Sequence, residues 1–206
     1  MSVAQLAPAP ARDEAAGATL TRIRRALPEA FIAWLGALPG DAWPDGRFLA
    51  AVDHVGAGLR ALFTECGTPD DAMAKWWIDD VVDIAEQFAA RAGADVVDVR
   101  LEHVSDDACA RFHIDNVRLR LVTTYHGPGT EIVPHPFGPQ ARSLQNQYDG
   151  PVDRMPPGEI AIFQGGPGGV VHRSPPISKT GKSRSLLCLN TLSITSPQLW
   201  TPGQHP

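Results

Sequence analysis

The chain has 206 residues, of which 43% are hydrophobic and 20% charged, and its formal net charge is −5. That length suits one full-sized domain with an appended lobe and excludes two large ones. The acidic balance lacks the basic stripe of a nucleic-acid surface, and no apolar run approaches the ~20 residues that span a bilayer.

Residues 1–18 are rich in Ala and Pro and lack the basic and apolar regions of a signal peptide, so a disordered tail is expected there. Residues 19–93 read as a helical lobe. Thr19 is a candidate cap for a first segment with Leu20, Ile23 and Leu27 on one face. Pro28 opens a second with Phe31, Trp34, Leu35 and Leu38. A third carries Phe48, Val52, Leu59, Leu62 and Phe63 and stops at Gly67. Thr68 as N-cap, Pro69 at the first helical position and the acidic pair Asp70-Asp71 announce a fourth, with Met73, Trp77, Val81, Ile84 and Phe88 in one stripe and Gly93 at its end. The stripes need cover, which favours a buttress role for this lobe over a dimer surface or a substrate-recognition lobe.

Residues 94–196 change period to two. Val97, Val99, Leu101 and His103 alternate with charged residues, and Phe112 to Tyr125 reads as one further strand. Residues 134–157 read as a long loop over a site. Short strands follow at Glu159–Phe163, Val170–His172 and Arg184–Thr191, with a flexible Gly165–Gly169 turn between the first two. Residues 197–206 read as an irregular tail. The expected fold is α+β: N-terminal helices packed on a C-terminal double-stranded β-helix, a jelly-roll or cupin-like barrel. Cys66, Cys109 and Cys188 form neither a C-x-x-C pair nor a disulfide framework, which points to a reduced, cytoplasmic setting.

The chemistry concentrates at His113-Ile114-Asp115, with His172 far downstream. Two imidazoles and one carboxylate can hold a divalent ion by one face and leave the other positions open. On a strand, residues 113 and 115 share a face while Ile114 points away. An unbroken strand would put Thr123 and Tyr125 on that face too, with Arg118 and Arg120 on an exposed one. Arg184 follows His172 by about one hairpin and is either a surface residue or a fork for a carboxylate beside the metal. Gly181-Lys182-Ser183 lacks the upstream glycine of a phosphate-binding loop, and no Ser-His-Asp or Cys-His nucleophile arrangement stands out.

From about Cys109 to Leu192 the pattern resembles the Fe(II)/2-oxoglutarate-dependent dioxygenases of the prolyl-hydroxylase type. The matching residues are Phe112 to Asn116, Thr123-Thr124-Tyr125, Gly127 to Thr130, Pro157 to Phe163, His172 and Arg184. The resemblance implies that His113, Asp115 and His172 bind Fe(II). It also implies that Arg184, helped by Thr123 or Tyr125, binds 2-oxoglutarate and that an unknown small molecule or protein is hydroxylated. Arg111 to Glu131 and His172 to Pro176 also resemble an uncharacterised bacterial family, a likeness that implies a link to zinc homeostasis. The alternatives are a cupin-like zinc enzyme, which His126 and His135 would join, or a non-enzymatic metal-binding protein. Neither nucleic acid nor membrane is an expected partner; a homodimer is compatible with the pattern.

Overall fold

In the computed structural model of the chain, residues 20–202 are described. The expectations for residues 1–18, for a Thr19 cap and for residues 203–206 lie outside them.

In chain order the elements are β1 (Leu20–Ile23), α1 (Glu29–Ala37), β2 (Gly46–Ala51), α2 (Val55–Glu65), α3 (Ala72–Ala92), β3 (Val96–Val104), β4 (Leu119–His126) and β5 (Glu131–Ile132). Then come α4 (Gly138–Leu144), β6 (Asp153–Arg154), β7 (Ile160–Gln164), β8 (His172–Arg173) and β9 (Arg184–Asn190). They build a six-stranded sheet, β1-β7-β4-β9-β3-β2, and a three-stranded one, β6-β5-β8. Every neighbouring pair is antiparallel.

Side-chain alternation gives the large sheet two different faces. Val97, Val99 and Leu101 of β3, Leu121 and Tyr125 of β4, Ile160 and Ile162 of β7, and Leu187 and Leu189 of β9 enter one core. Its other wall is helical: Phe31 and Leu35 of α1, Leu59 and Leu62 of α2, Trp77, Val81, Ile84 and Phe88 of α3. The opposite face of the sheet, with Val122, Ala161, Phe163, Leu186 and Cys188, meets Ile132, Met155 and Val170 from the region of the small sheet. The apolar stripes of the helices thus share one cluster with the first of these two faces.

Three expected elements come out differently. The segment from Leu20 is a strand, with Leu20 opposite Phe163 and Ile23 opposite Ile160. A short apolar run fits either secondary structure, and pairing with an open sheet edge decides it. Phe48 lies on β2, which pairs with β3 at the other edge, so the third helix starts only at Val55. The fourth helix is capped three residues later than expected, at Asp71 instead of Thr68. The Asp71 carboxylate accepts from the backbone N–H groups of Met73 and Ala74 at 2.8 and 3.0 Å, whereas Thr68 donates its hydroxyl to the Ala42 carbonyl. Gly93 ends this helix in the left-handed conformation, as its position suggested.

The expected barrel is not closed. Two antiparallel sheets face one another, but β5, β6 and β8 are two residues each. Much of the 134–157 segment, read as a loop, winds into α4 and short 3-10 turns instead of adding strand length. None of the described helices is long and apolar enough to cross a membrane.

His103 and His126 flank Ser185 across the sheet, and the Trp43 ring lies 4.5 and 5.0 Å from their rings. Burial, and then the neighbouring His103, hold His126 below its ordinary pKa. The folded protein therefore binds fewer protons here than the unfolded chain, and stability falls as pH drops below about 6.5. Urea midpoints at about pH 5.5 and about pH 7.5 should show that loss, and His126→Gln should reduce it.

Candidate metal centre

Between the two sheets, His113, Asp115 and His172 bring one ligand atom each to within 4.8 Å of one another. His172 comes from β8. His113 belongs to no strand, but a single antiparallel bridge joins it to His172. Each backbone N–H donates to the other residue's carbonyl, both at 3.0 Å. Residues opposite one another in such a pair project to the same side, so the bridge aims both imidazoles at one point. Ile114 packs instead toward the outer cluster of Phe112, Val133, Ala141 and Val171.

Asp115 is placed by its own backbone. Its carbonyl accepts from the Gly166 N–H at 2.7 Å, which ties the 165–169 turn to the ligand loop. Only glycine fits at 165: a Cβ there would lie 2.5 Å from the Asp115 carbonyl oxygen and 2.3 Å from that of Val117. The turn read as flexible is thus a mould for the third ligand.

The polar atoms are arranged for a cation. The His113 Nδ1 lies 2.7 Å from the Arg111 carbonyl and the His172 Nδ1 lies 3.1 Å from that of Val170. Both bonds favour the tautomer with the proton on Nδ1, leaving the Nε2 lone pairs for a metal. Those Nε2 atoms stand 3.5 Å from Asp115 Oδ1 and 3.2 Å from Oδ2. Oδ1 accepts from Arg120 Nη1 at 2.7 Å, while buried Oδ2 has no hydrogen-bond donor. Burial alone would raise the Asp115 carboxyl. The neighbouring His113 and His172 imidazoles, with the Arg120 guanidinium, hold it well below the usual carboxylate range. Two nitrogen donors and one anionic oxygen converge, which fits a divalent ion of the Fe(II), Mn(II) or Zn(II) kind.

A narrow pocket adjoins the cluster, lined by His113 and His172 with Glu102, Arg120, Thr130 and Cys188. On the same face of the large sheet, Arg184 is fully buried. Its Nη2 donates to the Thr124 and Thr130 hydroxyls at 3.2 and 3.1 Å, and Nε and Nη1 have no partner among the described residues. The nearby carboxylates are engaged elsewhere, Glu102 by Arg100 and Glu131 by Arg154 and Arg173. Burial lowers the pKa of Arg184 from its ordinary value.

Thr123 and Tyr125 are not in this pocket. They face the helices, where the Thr123 hydroxyl accepts from Arg25 and the Tyr125 hydroxyl donates to Asp80 at 2.6 Å. Between Asp115 and Leu119 the chain bends instead of running as a strand, so the parity of residues 113 and 115 does not carry over. The opposite parity of β4 faces the metal ligands, and it brings in Arg120 and Thr124. His126 lies on the helical face beside Trp43, and His135 lines an outer apolar groove with Ile114, Val133 and Val171, so neither joins the cluster.

Cys188 is buried beside the pocket, and desolvation pushes its thiol up to about 11. Cys109 is exposed at the pocket's edge. Iodoacetamide should therefore modify Cys109 in the native protein and spare Cys188 until denaturant is added, which intact-mass analysis would read directly.

A family model described as "Protein of unknown function (DUF1826)" matches residues 11–190. No match was found among curated protein sequences. Among solved structures, the chain is similar to a dioxygenase for auxin oxidation from Arabidopsis thaliana in complex with 2-oxoglutarate. The identity is 11%, the TM-score 0.44, and the coverage 83% of this chain and 79% of that one. A prolyl-4-hydroxylase from Pseudomonas putida matches at 17% identity and a TM-score of 0.39, over 78% of this chain and 92% of its own. A non-heme alpha-ketoglutarate-dependent carbocyclase from nogalamycin biosynthesis matches at 12% and 0.35, over 82% and 78%. Likeness at this distance does not bear on activity.

Proposed function

The chain belongs to the DUF1826 family, and we propose that it is an Fe(II)- and 2-oxoglutarate-dependent oxygenase acting on a substrate still to be identified. His113, Asp115 and His172 would hold the iron, and Arg184 the distal carboxylate of 2-oxoglutarate. On this reading the two facing sheets are an open form of the double-stranded β-helix.

One observation carries the proposal. A fully buried guanidinium without a carboxylate partner shares a sheet face with a His-Asp-His cluster. An uncompensated buried charge costs several kcal/mol, and the guanidinium's Nε and Nη1 donors remain open to the oxygen atoms of an organic acid. A metal that needs an organic acid as co-ligand explains both features together. A bare zinc store explains the cluster but not the guanidinium.

When bound, iron and 2-oxoglutarate supply the oxygen chemistry, and the chain supplies placement. His113 and His172 present Nε2 lone pairs fixed by their backbone partners. Thr124 and Thr130 hold the Arg184 fork in one orientation. Val122, Leu186 and Cys188 keep the space between the sheets dry, which strengthens each charge interaction inside it.

The test is succinate release from 2-oxoglutarate by protein loaded with iron without oxygen and then exposed to it, together with the effect of 2-oxoglutarate on thermal stability. Succinate release with stabilisation supports the reading. Tightly held zinc, no succinate from any iron-loaded sample and no effect of 2-oxoglutarate would replace it with a metal-binding role.

A further inference from the structure

Arg120 lies on β4 with two side-chain hydrogen bonds that point in different directions. Its Nη1 donates to Asp115 Oδ1 and its Nε to Asn190 Oδ1, each at 2.7 Å. Asn190 is directly opposite Arg120 in the β4–β9 pairing, so the anchor is built into the register of two central strands. The side chain is mostly buried, and both ends of the bridge are more so. This leaves Asp115 asymmetric: one oxygen is engaged by a guanidinium, and the other is unbonded beside His172 Nε2 at 3.2 Å.

We infer that Arg120, anchored by Asn190, is a positioning residue that makes Asp115 a one-oxygen metal ligand. The inference rests on the metal site of the proposed function, and it does not depend on iron or 2-oxoglutarate being the natural pair. A free carboxylate next to a divalent ion can swing to bind through both oxygens and take up one more coordination position. A charge-assisted bond to Oδ1 opposes that swing. It also fixes the carboxylate plane so that the other oxygen stays aimed at the metal position, and the centre keeps its remaining positions open. Partners of this kind typically change metal affinity 10–100-fold, by roughly the same logic as the backbone bonds to the two histidines.

The probe is Co(II), whose visible bands are strong with four ligands and weak with six, so they report the coordination of Asp115 without turnover. Arg120→Met and Asn190→Ala would be titrated with Co(II) next to the wild type, with circular dichroism as the check on folding. The expected result is weaker binding by about 10–100-fold in Arg120→Met with altered band intensity, and a smaller change of the same sign in Asn190→Ala. Arg120→Lys, which keeps a charged donor, should recover part of the wild-type spectrum. Wild-type spectrum and affinity in Arg120→Met would overturn the inference. If that variant does not fold, an unaltered spectrum and affinity in Asn190→Ala would overturn it instead. A wild-type protein that binds no Co(II) would remove the metal site itself, so the two failures are distinguishable.

Discussion

On the proposed metal site, Asp115→Asn should lower divalent metal content from about one ion per chain to almost none, without unfolding the protein. Asparagine matches the volume of aspartate, and its carbonyl can still accept from Arg120. The Asp115 backbone bond to Gly166 and the two bonds between His113 and His172 do not involve the side chain. What is lost is the anionic oxygen beside His172 Nε2. Two neutral imidazoles then face a dipositive ion next to the Arg120 guanidinium, with no negative charge to offset either. Turnover of 2-oxoglutarate should fall by at least ~100-fold, beyond the usual cost of losing a partner that only supports a ligand. Metal analysis of purified wild type and variant, with urea midpoints for both, tests this. Wild-type metal content in the variant would place the ion elsewhere.

Arg184→Met should produce a result of opposite sign to an ordinary core truncation. Replacing a fully buried side chain of that size usually costs stability. Here the wild-type residue buries a charge with two unsatisfied donors. Methionine removes that charge and adapts to the space. The Thr124 and Thr130 hydroxyls lose a partner, which offsets part of the gain. The net effect expected without ligand is a stabilisation on the order of 1 kcal/mol, or a Tm higher by about 2–4 °C. The second half of the prediction is loss of ligand linkage. If the proposed function holds, wild-type protein at about 100 times the Kd for 2-oxoglutarate should gain roughly 2.7 kcal/mol, and the variant nothing. A variant that is less stable alone yet still stabilised by 2-oxoglutarate would show that Arg184 is structural.

The chemistry was more legible in the sequence than the path of the chain. His113, Asp115 and His172 stand out by type and spacing taken together, and the structure brings them to one point; Arg184 reads equally as a surface residue or a carboxylate fork until its burial is seen. The strand parity that would place Thr123 and Tyr125 beside the metal does not survive residues 116–118, where the chain bends. A local signal pointed the other way. From Leu119 to Tyr125 the chain is apolar or Thr except for one Arg, the composition of a strand covered on both faces. An arginine in such a strand has to be paired, so Arg120 belonged to a buried site and not to an exposed face. The edge strands β1 and β2 were hidden for a different reason. Four to six residues of mixed character fit a helix or a strand, and the choice lies in partners far along the chain.

The bridge between His113 and His172 has a consequence for how the centre is assembled. Two backbone hydrogen bonds already join segments that lie far apart in sequence, and they involve no atom that a metal would touch. The loop-closure entropy of bringing those segments together is therefore met during folding and not at the moment of binding. In a zinc finger the ion itself gathers the chain, so its removal unfolds the domain. Here the ion would arrive at a finished socket, so the metal-free protein is expected to keep its fold and to exchange the ion without the chain coming apart.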